Sequence, residues 1–113
     1  MLISGDVVFI DLGLPEGREA GFHHPAIVVT AQRILNAEPS VVHVVPLTRT
    51  ARTFNSEVII EADDANGLDE RSAAQCQHVR SISPNRIVTT SGNVGPATLG
   101  QLREMIGVIL DLP

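Results

Sequence analysis

Between Val7 and Thr90 the apolar positions come in short, nearly continuous runs separated by Gly, Pro, Ser and Asn, a pattern of buried strands joined by turns. Val7–Leu12, after the turn-prone "SGD", is the first predicted strand. Pro25–Thr30, nearly all apolar, is the second and is expected to be buried on both faces. "VVHVVPL" from Val41 to Leu47 gives a third, "SEVIIE" from Ser56 to Glu61 a fourth, and "SAAQCQHVRSI" ending at Ile82 a fifth. "SPNRI" reads as one helical turn, capped by Ser83 with Pro84 in its first position, where a missing N–H costs nothing. A short sixth strand is expected over Ile87–Thr90. From Pro96 the period changes: Leu99, Leu102, Ile106, Ile109 and Leu110 recur at helical spacing and predict an amphipathic closing helix. Gly100 and Gly107 each lower helix propensity by up to about 1 kcal/mol, so the helix should be held by packing on the sheet, with close backbone approach at the glycines. Strands first and one long helix last predict a mainly β (α+β) fold: a small SH3-like barrel of five to seven strands with a C-terminal helix, residues 1–113 forming one domain.

Composition narrows the picture. Hydrophobic residues make up 43% of the chain, but Trp and Tyr are absent and Phe numbers three, so the core must be aliphatic. A formal net charge of -5 argues against non-specific nucleic-acid binding, which rests on phosphate neutralisation. Every basic side chain other than histidine is Arg, suited to bidentate phosphate or carboxylate recognition and also what a GC-rich genome would favour. The lone Cys76 cannot form an internal disulfide, and "MLISGDVVFIDL" lacks both the basic start and the long apolar segment of an exported or membrane-spanning chain, so a cytoplasmic protein is expected.

Candidate chemistry gathers at two junctions. "GLPEGREAGFHH" is a loop of unusual length before the second strand, and "PLTRTARTF" ends the third. In a small barrel both can reach one mouth, placing Glu19, His23 and His24 near Thr48 with Arg18, Arg49 and Arg52 around them. RNA transesterification needs a base for the 2′-hydroxyl proton, an acid for the departing 5′-oxygen, and donors for charge growing on the phosphorus oxygens. Histidine serves as either acid or base, and Thr or Arg as donors, with no metal required. Adjacent His23 and His24 do not have the spacing of a local zinc site. Cys76 and His78, two apart on a predicted strand, would share a face, but nothing local orients them as a nucleophile pair. His43, flanked by valines, reads as a structural residue with one ring nitrogen bonded.

The chain resembles the MazF/PemK-type toxins of toxin-antitoxin pairs from end to end. "GDVVFIDLGLPEGREAG" resembles the family's opening strand and Gly-x-Glu loop, "HPAIVV" its Arg-Pro-Ala-Val-Val strand, and "VVPLTRT" its Val-Pro-Leu-Thr strand end. "AAQCQHVRSI" with "SPNRI" resembles its Glu-Gln-Ile-Arg-Ser-Ile segment, and "GNVGPATLGQL" its lead into the closing helix. The resemblance implies a homodimeric, cofactor-free, sequence-specific endoribonuclease that leaves 2′,3′-cyclic phosphate and 5′-hydroxyl ends on single-stranded RNA. It also implies a groove in which RNA competes with an antitoxin tail for Arg49 and Arg52. Carried over position by position, Thr48 matches the catalytic threonine and Glu19 the loop glutamate, while Pro25 and Arg80 match structural or site-lining positions.

The departures bear on mechanism. The family arginine before the proline is His24 here, the glutamate of Glu-Gln-Ile-Arg is Gln77, and His78 follows it. Arginine stays charged at any physiological pH and histidine does not, so the exchange is not conservative. Either His24 takes over as acid or base, with His23 and Glu19 tuning it and the arginines clamping phosphate, or the nuclease is weakened or silent and survives as an antitoxin-binding partner. A gyrase-binding toxin of the related CcdB type fits less well, because its contact uses a C-terminal tryptophan and this chain ends "VILDLP".

Overall fold

A computed structural model describes residues 1–12, 23–50 and 55–113. Among these residues, seven strands and two α-helices follow one another: β1 (Asp6–Asp11), β2 (His23–Val28), α1 (Gln32–Leu35), β3 (Val42–Thr48), β4 (Glu57–Ile60), β5 (Ser72–Gln75), β6 (Arg80–Ile82), β7 (Ile87–Asn93) and α2 (Gly95–Ile109). All pairings are antiparallel, in the order β4-β5-β3-β2-β1-β7, with β6 also on β3. The expected mainly β fold with one long closing helix is what the chain adopts.

Successive residues of the central strands point to opposite faces, and both faces are covered. Val7, Ile27, Val45, Leu47 and Cys76 pack with Leu99 and Leu102 of α2; Val8, Ile10, Ala26, Val28, Val42, Val44 and Ile82 pack with Leu35 of α1. This double burial explains why β1, β2 and β3 read as nearly continuous apolar runs, broken in β3 by the exposed His43. Arg103 fixes α2 against the end of β2, donating to the carbonyls of Val29 (3.2 Å) and Thr30 (3.3 Å). Ser83 accepts from the Asn85 amide at 3.3 Å and Pro84 opens the turn, as its sequence implies.

Two expectations are corrected, and one element is new. The predicted fifth strand is two, because a 3-10 turn at Cys76–His78 interrupts it. The interruption lets β5 pair with the second half of β3 (Thr48 opposite Ala73) and β6 with the first half (Val44 opposite Arg80). Gly100 and Gly107 make no close approach, since a Cβ at either would meet open space. The short helix α1 carries no periodic signal of its own and was not anticipated.

Glycine is required elsewhere. The turn after β4 lies hard against β7, so a Cβ at Gly67, where φ is +69°, would run into the Ser91 carbonyl, and one at Gly92 into Ala65 and Asn66. Asn66, 2% exposed, organises this turn. Its Oδ1 accepts from the amides of Asp63 (3.1 Å) and Leu68 (2.9 Å), its Nδ2 donates to the Glu61 carbonyl (2.9 Å), and its own amide donates to Asp63 Oδ1 (2.7 Å). Every polar atom of its side chain is thereby engaged, which is what makes its burial tolerable.

Candidate functional site

A cavity of about 400 Å³ opens where β1 and β3 end and β2 begins, beside the approach to β5. Phe9 comes from β1; His23, His24 and Pro25 from the start of β2; Leu47, Thr48 and Arg49 from the end of β3; and Gly67, Leu68, Asp69, Glu70 and Ser72 from the turn into β5. Antiparallel register explains the convergence. Ala26 stands opposite Pro46, so the start of β2, which carries His24, and the end of β3, which carries Thr48, lie at the same end of the sheet. His23 is exposed and His24 half-buried. Among the described residues neither imidazole is engaged in a side-chain hydrogen bond or ion pair, so both are open to a ligand.

The Thr50 amide donates to Thr48 Oγ1 at 3.2 Å. That bond uses a lone pair of the oxygen and leaves the hydroxyl proton free to be donated. Arg49 lies 3.6 Å from Glu70, but the two side chains are 67% and 59% exposed, so the pair is weak and readily exchanged for a phosphate. The site therefore combines two imidazoles, a hydroxyl donor and a guanidinium at one opening.

The other sequence candidates are placed differently. Arg18, Glu19 and Arg52 lie outside the described residues. Gln77 does not line the cavity; it accepts from Ser56 Oγ (3.0 Å) and donates to Glu57 Oε2 (3.2 Å), in a separate network on the β4–β5 side. Arg80 is exposed on β6 and also does not line it, because the turn at Cys76–His78 carries it to the other half of β3. That same turn removes the shared strand face imagined for Cys76 and His78. Cys76 is fully buried, with its Sγ 3.9 Å from the Leu102 carbonyl, while His78 is exposed. Burial, and secondarily the nearby Glu57 charge, pushes the Cys76 thiol up to about 11, the opposite of an activated nucleophile. His43 is exposed rather than structural: no ring-nitrogen bond is made among the described residues, and its contribution to the fold is through its backbone, whose amide donates to Thr30 Oγ1 at 2.7 Å. No group of three or more His, Cys, Asp or Glu is arranged to hold a metal among the described residues.

Sequence reasoning missed Phe9, Leu68, Asp69, Glu70 and Ser72. The signal was there only in combination. "LDERS" directly precedes the fifth predicted strand, and had that strand been paired antiparallel with the third, its beginning would have fallen beside the "LTR" strand end.

The chain matches the family described as PemK-like, MazF-like toxin of type II toxin-antitoxin system over residues 3–110. It is 34% identical over 118 residues to Endoribonuclease MazF9 of Mycobacterium tuberculosis, covering 99% of this chain and 98% of the relative. Against Endoribonuclease toxin MazF of Escherichia coli it is 26% identical over 107 residues, covering 94% and 91%. A solved mycobacterial endoribonuclease in complex with its cognate antitoxin superposes with a TM-score of 0.76 at 23% identity, covering 100% of this chain and 98% of that one.

Proposed function

Because the chain belongs to the PemK-like, MazF-like toxins of type II toxin-antitoxin systems, we propose that it is an endoribonuclease that cuts single-stranded RNA without a metal, leaving 2′,3′-cyclic phosphate and 5′-hydroxyl ends. The observation carrying this reading is the convergence of His23, His24, Thr48 and Arg49 on one cavity. One imidazole takes the 2′-hydroxyl proton as the O2′–P bond forms, and the other returns a proton to the 5′-oxygen as the P–O5′ bond breaks. Thr48 Oγ1–H and the Arg49 guanidinium donate to the non-bridging oxygens, where charge accumulates. His24, at the position of the family arginine, is assigned the acid or base role and not the permanent clamp, with Glu19, Arg18 and Arg52 completing the set from outside the described residues.

A cleavage assay in EDTA tests this directly. Mixed-sequence single-stranded RNA and its DNA counterpart are incubated with the purified protein and the ends are mapped. Discrete RNA-only cuts with the stated termini are expected; intact RNA at every pH would overturn the reading. A second reading rests on one observation, the histidine at the arginine position: a protein that binds its antitoxin but turns over weakly or not at all. His24→Ala separates the two, abolishing cleavage in the first and changing nothing in the second.

The partners proposed are RNA, an antitoxin tail competing for the Arg49 side of the cavity, and a second copy of this chain. The complex formed by the mycobacterial relative supports the antitoxin. Val108, Leu110 and Leu112, 69%, 57% and 61% exposed at the end of the chain, offer apolar surface to a second copy. Light scattering that gives a monomer mass at all concentrations would sink the homodimer.

A further inference from the structure

The catalytic proposal uses only part of the cavity. Asp69 and Glu70 also line it, and beside them Phe9 and Leu68 provide an apolar surface. Carboxylates repel phosphate, so they serve no purpose in binding the RNA backbone; their place next to Arg49 calls for another partner. Glu70 is 3.6 Å from the Arg49 guanidinium, so a phosphate held by Arg49 brings its own nucleoside to Glu70, in the cavity that Asp69 also lines. Asp69 makes no side-chain hydrogen bond or ion pair among the described residues, and the Glu70 pairing to Arg49 is one that a phosphate displaces.

A carboxylate only accepts hydrogen bonds, and this decides which base it favours. Uracil presents one N–H between two carbonyl oxygens on its Watson–Crick edge, so a carboxylate meets two repelling acceptors. Adenine and cytosine present an amino group next to an acceptor nitrogen. Guanine presents N1–H and N2–H side by side, two donors that match the two oxygens of one carboxylate. Phe9, the aromatic residue described at the cavity, and Leu68 can take the base's flat face, since stacking tolerates any base and leaves selection to the edge. Resting on the endoribonuclease reading above, we infer that Asp69 and Glu70 determine specificity at the base beside the scissile phosphate, selecting guanine most strongly and rejecting uracil.

The test pairs cleavage with binding, using the wild type, Asp69→Asn, Glu70→Gln and the double variant. The side chains replaced are exposed, and an unchanged thermal midpoint verifies that the variants fold. On randomised single-stranded RNA, the wild type should show guanine enriched over uracil by about tenfold or more at one position flanking the cut. The double variant should flatten that enrichment, because an amide donates as well as accepts. Equal use of guanine and uracil at both flanking positions, or an enrichment that persists in the double variant, would overturn the inference. If no RNA is cut, the nuclease reading fails by itself, and binding of guanosine and uridine 3′- and 5′-monophosphates, followed by NMR, decides the specificity separately. Tighter guanosine binding that the double variant loses supports it; equal binding overturns it.

Discussion

The turn that carries Asn66 and the strand ends that carry His23, His24 and Thr48 border the same cavity, and both are rich in polar groups. In the turn, each polar atom of the Asn66 side chain is bonded to the backbone within a few residues. At the strand ends the two imidazoles have no such partner among the described residues, and Thr48 retains its proton. Polar groups closed on one another hold the chain in shape, whereas polar groups left open cost the fold little at a wet rim and are available to a substrate. The two regions should therefore respond to substitution in opposite ways.

The largest effect is expected at His24. Its replacement by Ala should reduce RNA cleavage by roughly two to three orders of magnitude, with an unchanged thermal midpoint. Asn66→Ala should do the reverse, destabilising the protein by about 2–3 kcal/mol as two part-buried amides and a carbonyl lose their partner and a buried side chain is truncated. Calorimetry should show a fall in midpoint of roughly 10 °C, with cleavage per folded molecule largely retained. Loss of cleavage without loss of stability in that variant would break the division between the two regions. Thr48→Val, which removes the hydroxyl at similar size, should reduce kcat by about tenfold or more and cost about 1 kcal/mol of stability as the Thr50 amide loses its acceptor.

The smallest effect concerns Cys76, which belongs to neither region. Its thiol is raised from 9.0 to about 11 in the folded chain. The unfolded chain therefore releases that proton first, so stability is intact below pH 9 and declines as pH rises toward 11. Lys and Tyr are absent, and arginine stays charged, so no other side chain competes in this window. Urea titrations from pH 8 to 11 should show the decline in the wild type and its absence in Cys76→Ala. Alkylation of the native thiol should be correspondingly slow and should accelerate on unfolding.

Much of this architecture is legible in the sequence because it depends on local patterns. Apolar runs marked β1, β2 and β3, the Ser83–Pro84 pair marked its turn, and the changed period after Pro96 marked α2. The break at Cys76–His78 was not legible, because "SAAQCQHVRSI" has the composition of one strand and is divided only by β3 offering separate halves to β5 and β6. The site was half legible for the same reason. His24 and Thr48 announced themselves at strand ends, but Asp69 and Glu70 enter the cavity through a pairing between distant strands. Gln77 and Arg80 went the other way: they were carried over by resemblance to a family segment, and neither lines the cavity.

Asn66 is followed by Gly67, the dipeptide most prone to deamidation, because an unhindered glycine amide can attack the asparagine side-chain carbonyl and expel ammonia through a succinimide. In the folded chain that amide donates to the Asp63 carbonyl at 3.1 Å, and the side chain it would attack is buried and held. Folding thus shelters its own most perishable bond. Each excursion to the unfolded state exposes it, and the aspartate or isoaspartate that results has no amide to offer the Glu61 carbonyl. Chains that unfold often would age into ones that cannot rebuild the turn, so the protein's chemical lifetime is set by how seldom it opens.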